Sequence, residues 1–471
     1  MDKKHVDLIV IGAGPGGYAA AFFAADHGKK VLLVEKGEAL GGVCLNRGCI
    51  PSKALLNAAH IISEAKHAAA RGIIFSEPKV DFTKLVAWKN SVISKLSSGI
   101  GQLAKARNVE VITGKAYFED SKTVRIETKN GQALFTFENV LIAAGSSPAL
   151  PAAFDLGNPR VMTSTEALDI NELPKKLLVI GGGYIGMELG TVYADFGSEV
   201  TMVEATSVLL AGADRDLARP VIQRGESIFK VIHTETKVIK MATKGKSISV
   251  DMEKEGKKFT ETFDKVLVSV GRTPNSKEMG LENAGIDRDE RGFIKVNDRQ
   301  ETSVPGVYAI GDIAGGLLLA HKASKEAKIA VEAILGQETS FDKNIIIPAV
   351  VFTDPELAWA GLTEAEAKEK GIAVKVSKFP WGASGRALTL DRPSGLTKLV
   401  IDPQTERILG VGIVGPHAGD LIGEGVLAIE MGATATDLAE TVHPHPTLSE
   451  TLMEAAEAFL GHSTHLTPVK K

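Results

Sequence analysis

Val6-Asp7-Leu8-Ile9-Val10-Ile11-Gly12-Ala13-Gly14-Pro15-Gly16-Gly17 reads as a buried strand that runs into a glycine turn. An alanine-rich helix is expected from there to about Gly28, and Val31-Leu32-Leu33-Val34 forms a second strand ending on Glu35. Strand, Gly-x-Gly-x-x-Gly, helix, strand and terminal acid make up a βαβ dinucleotide-binding unit. Gly12, Gly14 and Gly17 let the backbone approach a pyrophosphate at the helix N-terminus, where free N–H groups and the helix dipole favour negative charge. Glu35 stands where a carboxylate accepts hydrogen bonds from ribose hydroxyls.

The pattern recurs. Leu177-Leu178-Val179-Ile180 enters Gly181-Gly182-Gly183-Tyr184-Ile185-Gly186, and Val200-Thr201-Met202-Val203 ends on Glu204. Gly12, Gly14, Gly17 and Glu35 map onto Gly181, Gly183, Gly186 and Glu204 with one constant shift of 169 residues. A single fingerprint is weak evidence, but an equal-shift copy is a repeat of architecture and implies two bound dinucleotides. The carboxylate of Glu204 suits a free 2′-hydroxyl and repels a 2′-phosphate, and Ala205-Thr206-Ser207 brings no arginine. The second ligand therefore reads as NAD rather than NADP. Two glycine-terminated strands, Val140–Gly145 and Val266–Gly271, echo each other, which predicts insertion of the second unit into the first. Val304–Asp312 then returns to the first sheet, with Asp312 placed for a further hydroxyl, and Ala320 opens a long helix.

The only two cysteines of the 471 residues lie within Gly41-Gly42-Val43-Cys44-Leu45-Asn46-Arg47-Gly48-Cys49-Ile50-Pro51-Ser52-Lys53. On a regular helix their spacing would turn the side chains about 140° apart and separate them by about 7.5 Å along the axis. A bridge thus requires an irregular turn, for which Gly48 and Asn46 are suitable residues. Pro51 fits the first turn of the next helix, whose N-terminus, with Lys53 one turn on, favours a thiolate at Cys49. Two free buried thiols are the alternative. Two cysteines make no secreted disulfide framework, and a lone close pair fits a redox site in a reducing, cytoplasmic compartment. Net charge is −4, from 54 basic and 58 acidic residues, which offers no nucleic-acid or lipid-headgroup surface. Met1–His5 leads straight into a strand without a signal-peptide core, and no apolar run reaches membrane length, so a soluble protein is expected.

Helices are expected from Ser52 to about Arg71 and from Phe82 to about Arg107, and a hairpin within Lys240–Lys265. Pro220 and Gly225 interrupt what should be a helix between Arg215 and Phe229. From about Asn344 the composition shifts toward an α+β domain, with strands at Ile345–Pro348 and Leu409–Gly415. His443-Pro444-His445-Pro446-Thr447-Leu448-Ser449-Glu450 closes this part, its prolines holding His445 in a rigid setting. Trp359 and Trp381 read as core or interface residues.

Together the fingerprints, Gly-Gly-Val-Cys-Leu-Asn-Arg-Gly-Cys-Ile-Pro-Ser-Lys-Ala-Leu-Leu, Tyr308–Asp312 with Leu317–Ala323, and His443–Glu450 resemble the pyridine nucleotide-disulfide oxidoreductases over nearly the whole chain. The resemblance implies an α/β fold of two Rossmann-like domains, with the NAD unit inserted in the FAD unit, and a C-terminal α+β dimerisation domain. The expected limits are 1–148 for FAD, 149–275 for NAD, 276–343 returning to the FAD domain and 344–471 for the interface. It further implies a homodimer with tightly but non-covalently held FAD. Electrons would pass from a dithiol through a Cys44–Cys49 disulfide and FAD to NAD+. Cys44 would be the thiol that exchanges with substrate and Cys49 the one facing the flavin. His445 would be the base, oriented by Glu450, acting on the other subunit. Lys53 and Glu188 would form an ion pair near the flavin. Ala116, Gly145, Asp312 and Ala320 would touch FAD, and Val238 and Gly271 NAD. The finer pattern, with Glu204 and Phe379-Pro380-Trp381, points to dihydrolipoamide as substrate, and thus to lipoyl domains and the acyltransferase subunit of 2-oxo acid dehydrogenase complexes as partners. Arg47 departs from the family's small apolar residue and is expected to lower the thiol pKa values. Rival readings are a glutathione- or mercuric-type reductase of the same family and a non-catalytic flavoprotein subunit.

Overall fold

The computed structural model describes residues 3–342 and 344–467; Met1 and Asp2 lie outside the described residues. Lys3–Ile11 is the central strand of a seven-stranded sheet. It pairs in parallel with Val31–Glu35 on one side and Gly131–Ile142 on the other, with Val10 opposite Leu33 and Leu141. Leu8, Ile9, Leu32 and Leu33 are fully buried, as a strand covered on both faces requires. Helix Pro15–Asp26 crosses between the first two strands and packs Ala20, Ala21 and Ala24 against the sheet, while Val307–Ala309 returns to pair in parallel with Gly131–Ile142.

Between these strands the chain builds a second, five-stranded parallel sheet. Its order is Val231–His233, Glu199–Val203, Lys176–Ile180, Lys265–Val268, Val161–Met162. Insertion of one unit in the other is thus read directly from strand order. Ser146–Pro148 and Arg272–Pro274 pair antiparallel where the chain leaves and re-enters the first unit. The expected hairpin is a three-stranded antiparallel sheet, Thr236–Lys244, Ser247–Lys254 and Lys257–Phe263. Its apolar side chains Met241, Ile248, Val250 and Met252 fold onto the second parallel sheet, so the third strand is needed to complete that cover.

The C-terminal unit is an antiparallel sheet in the order Ala349–Val351, Glu356–Gly361, Ile408–Gly415, Leu396–Ile401, Lys375–Pro380, overlaid by helices Ala418–Glu430 and Glu450–Leu460. Ile345–Pro348, expected as a strand, is irregular; pairing begins only at Ala349. Trp381 is fully buried, and its indole N–H donates to Thr397 Oγ1 at 2.9 Å. Gly395 and Gly415 make room for it, since a Cβ at either would fall within 2.4 Å of the ring.

Helix Arg215–Ile228 runs through Pro220 and Gly225 without interruption, contrary to the sequence expectation. Pro220 forfeits one backbone bond, but the helix buries Leu217, Ala218 and Val221 in the core shared with the C-terminal unit. Gly225 admits Met187 and Ile232, which would lie 3.3 and 3.4 Å from a Cβ. At the head of this helix Lys398, 1 % exposed, holds Asp214 at 2.8 Å, Asp216 at 3.1 Å and Glu364 at 2.6 Å. Asp214 also accepts the Glu364 and Ala365 N–H groups. Replacing Lys398 by Met leaves these carboxylates short of their central cation. Guanidinium unfolding of Lys398→Met should show a loss of about 3–5 kcal/mol.

Candidate active site

The first fingerprint forms one wall of a cavity of about 820 Å³. Gly12 sits at φ +102°, and a Cβ there would lie 2.4 Å from the Ala143 carbonyl oxygen. At Gly17 a Cβ would fall 1.8 Å from the Gly12 oxygen, so only glycine lets helix and turn close up. Helix Pro15–Asp26 has no side-chain cap at Gly14 and no acid in its first turn, which leaves its N–H groups unspent for an anion. Glu35 accepts the Ala13 N–H with one oxygen and the Gly37 N–H with the other, both at 2.8 Å.

Each feature recurs 169 residues on. Gly181 has φ +109°, a Cβ at Gly186 would lie 2.0 Å from the Gly181 oxygen, and Gly183 leaves helix Tyr184–Asp195 uncapped without a first-turn acid. Glu204 accepts the N–H groups of Gly182 and Thr206, again both at 2.8 Å. The repeat thus extends to individual hydrogen bonds. These unspent helix ends and clamped carboxylates fit two dinucleotides.

Gly12, Gly14, Glu35, Lys53, Ala116, Gly145, Asp312 and Ala320 all line the cavity, with Cys44, Cys49 and Glu188. Gly17 lies behind the turn. Gly181, Gly183, Gly186, Glu204, Val238 and Gly271 belong to the second unit, outside this lining. Asp312 accepts a short hydrogen bond from Ser146 Oγ and faces Arg272 at 3.6 Å. Tyr184, the first residue of the second fingerprint helix, also lines the cavity beside Arg272.

Cys44 rides on a six-residue helix, Gly42–Arg47, and Cys49 begins the next, Cys49–His67. Gly48 between them is non-helical and closely packed: a Cβ would lie 3.0 Å from the Val43 oxygen. This break is the irregular turn the spacing required. Both cysteines stand as free thiols within hydrogen-bond reach of each other. A hydrogen bond between them splits their acidities. Cys44 donates and is pushed up, further raised by burial. Cys49 accepts that bond and, helped by the Lys53 charge against burial and Glu188, is lowered to about 7. Arg47 is not among the groups that shift either thiol; its charge bears on Glu166.

Lys53 Nζ reaches both Glu188 oxygens, at 2.8 and 3.0 Å, and lies 4.4 Å from the centre of the Phe352 ring. The Phe352 N–H also donates to Glu188 at 2.9 Å. Phe352 and Arg272 were not singled out from sequence; Phe352 sits 164 residues from Glu188, with no local pattern to mark it. Tyr18 is a third unmarked neighbour, raised by burial and then by the charge of Cys44.

His445 Nδ1 lies 2.9 Å from Glu450 Oε1, and the other Glu450 oxygen accepts the Thr447 N–H at 2.6 Å. Burial opposes ionisation of Glu450, but the Thr447 and His445 bonds hold its carboxyl below the usual range. The His445 ring is 75 % exposed, and neither member of the pair lines the cavity. His443 is engaged by Thr441 and Glu424, which fits a scaffold role.

This chain belongs to the pyridine nucleotide-disulphide oxidoreductase family, which it matches over residues 6–327, with that family's dimerisation domain at residues 347–456. Among curated relatives it is 47% identical to the dihydrolipoyl dehydrogenase of Haemophilus influenzae, over 100% of this chain and 98% of that protein. It is 48% identical to that of Bacillus subtilis, over 98% of both. Among solved structures it is similar to LpdA from Mycobacterium tuberculosis, with a TM-score of 0.89 at 26% identity over 96% of this chain and 99% of that one. The HOCl-induced flavoprotein disulfide reductase RclA from Escherichia coli superposes with a TM-score of 0.85 at 29% identity, over 96% and 99% of the two chains. The chain is an oxidoreductase that uses FAD and NAD. Among the described residues no helix is long and apolar enough to cross a membrane.

Because Lys53 lowers Cys49, Lys53→Met should raise the Cys49 pKa from about 7. The expected rise is about 1 unit or more. The pH dependence of iodoacetamide alkylation of the reduced protein measures it.

Proposed function

We propose that this chain oxidises dihydrolipoamide, carried on lipoyl proteins, to lipoamide and delivers the electrons through the Cys44–Cys49 pair and FAD to NAD+. The observation that carries this reading is the low-pKa Cys49 at the wall of the fingerprint cavity, beside Lys53 and Glu188. The relatives named dihydrolipoyl dehydrogenase, matched end to end, support the choice of substrate. When bound, FAD accepts an electron pair and NAD+ carries it away as hydride.

The residues divide the work. His445 takes a proton from one substrate thiol, because a neutral thiol is a poor nucleophile and an imidazole titrates in the working range. Glu450, bonded to Nδ1, fixes the tautomer that leaves Nε2 as the base. In the oxidised protein the substrate thiolate attacks the Cys44 sulfur. The Cys44–Cys49 bond breaks and its electron pair leaves on Cys49, a good leaving group for its low pKa. The second substrate thiolate then attacks the substrate sulfur bound to Cys44, closing lipoamide and freeing Cys44. Lys53, held by Glu188, stabilises the Cys49 thiolate.

The exposure of the His445 ring, away from the cavity lining, supports a homodimer in which it serves the partner's cavity. Ala116, Gly145, Asp312, Ala320 and the first fingerprint would hold FAD. The second fingerprint, Glu204, Val238 and Gly271 would hold NAD. The domain limits 1–148, 149–275, 276–343 and 344–471 complete this reading, as do a cytoplasmic location and docking to 2-oxo acid dehydrogenase or glycine-cleavage complexes.

Steady-state turnover with dihydrolipoamide should be strong with NAD+ and weak with NADP+. His445→Gln should lower kcat by about 10²–10⁴-fold. Turnover only with glutathione or another thiol–disulfide couple would overturn the substrate reading.

A further inference from the structure

Glu188 takes two bonds from the Lys53 ammonium, and the Phe352 ring covers that ammonium on another side, 4.4 Å from Nζ to the ring centre. The Phe352 backbone N–H donates to Glu188 Oε1 at 2.9 Å. Phe352 therefore touches both members of the ion pair, one through its backbone and the other through its ring. The face of an aromatic ring carries negative charge density and attracts a cation placed over it. The ring is itself held in place, packed against the core cluster that includes Leu55 and Leu56 of the redox helix and Met187 of the second fingerprint helix.

Phe352 heads a short loop, 352–355, that leaves strand Ala349–Val351 of the C-terminal unit. The loop meets the redox helix at two levels. Phe352 lies at Lys53, and Asp354 lies 3.5 Å from His60 Nδ1, about two turns further along the same helix face. Arg392 of the C-terminal unit fastens the second level, bonded to Asp354 at 3.3 Å and also to Glu64. The second level is thus ionic on both sides. At the first level the C-terminal unit brings no charge: among the described residues Glu188 is the one ionic partner of Lys53. A second carboxylate there would cancel the charge that acts on Cys49, whereas a ring holds the ammonium and leaves its charge intact.

We propose that Phe352 is a positioning residue for the thiol pair: its ring holds the Lys53 ammonium in place and shields one side of it from water, and through Lys53 the C-terminal unit sets the reactivity of Cys49. The groups that bear on Cys49 are few. The Cys44 bond and then the Lys53 charge lower it to about 7, against burial and Glu188, while Tyr184 nearby feels the charge of Cys49 and Glu188. Lys53 is the one cation in this set. With the ring gone, water reaches the third ammonium proton, the local dielectric rises, and Lys53 stabilises the Cys49 thiolate less. The inference rests on the reading of Cys49 as a reactive thiol but not on dihydrolipoamide as substrate.

The test takes the FAD-loaded protein, reduced with one equivalent of dithiothreitol, and alkylates it with iodoacetamide across a pH series. Trypsin cuts after Arg47, so Cys44 and Cys49 fall on separate peptides and mass spectrometry follows Cys49 alone. Phe352→Leu keeps apolar bulk and the backbone bond to Glu188, and it should move the Cys49 midpoint up from about 7. The expected shift is about 0.5 unit or more. Phe352→Met should do the same, and Phe352→Tyr, which keeps the ring, should stay with the parent protein. Asp354→Asn loosens the loop at its second level without touching the ring, and it should also stay with the parent. An unmoved midpoint in both Phe352→Leu and Phe352→Met, or an equal rise in Phe352→Tyr, would overturn the proposal. So would an equal rise in Asp354→Asn, because loop anchoring rather than the ring would then govern the thiol.

Discussion

Glu188 is the point at which three units of the fold are tied together. Its carboxylate belongs to the second fingerprint helix, takes both bonds of Lys53 from the redox helix, and accepts the Phe352 N–H from the C-terminal unit. The Glu188 side chain is 4% exposed, so its charge has been taken out of water and depends on Lys53. Removing one partner of such a pair costs about 3–5 kcal/mol, whereas the intact pair adds little net stability. Its return is geometric. The pair fixes the first turn of the redox helix against the second dinucleotide unit, and the same lysine then tunes Cys49. Acidity of the thiol and alignment of the domains are one interaction.

The two thiols show how little sequence change separates different acidities. Both are cysteines of one short segment, yet Cys44 donates and Cys49 accepts, and the helix break at Gly48 is what lets the two side chains meet. A continuous helix would have pointed the side chains apart. The dyad of His445 and Glu450 is also held from below. Glu450 begins a helix whose next residue, Thr451, bonds Thr397, and Thr397 accepts the buried indole of Trp381. The acid that orients the imidazole is thereby anchored in the core of the C-terminal sheet.

Much of this was legible in the sequence wherever one residue type answers to one backbone requirement. Gly12, Gly17, Gly181 and Gly186 occupy places where a Cβ has no room, so their spacing announced both units, and the paired strands ending at Gly145 and Gly271 announced their nesting. The position of the redox pair beside Lys53 followed from the same local logic. What escaped depends on contacts distant in sequence. Phe352 meets Glu188 only through the packing of the C-terminal unit. Pro220 promised a broken helix because its local cost is visible in sequence, whereas the burial of Leu217 and Val221 against another domain is not. The third strand at Lys257–Phe263 and the irregular Ile345–Pro348 likewise answer to neighbours rather than to their own residues. Arg47 was expected to lower the thiol pKa values by proximity in sequence, but the charges that act on the thiols come from Lys53 and Glu188, while that of Arg47 bears on Glu166.

The carboxylates of Glu35 and Glu204 are already bonded to the turns they face, each bracing two backbone N–H groups. On the proposed reading, a ribose arriving at either site would meet an acceptor whose rotamer is settled and a loop that has little freedom left to surrender. The entropy of ordering the cradle is charged to folding rather than to association, which favours tight binding from a modest number of contacts. It also means that exchanging either glutamate to alter nucleotide choice would loosen the cradle itself, so cofactor preference and loop rigidity are inherited together.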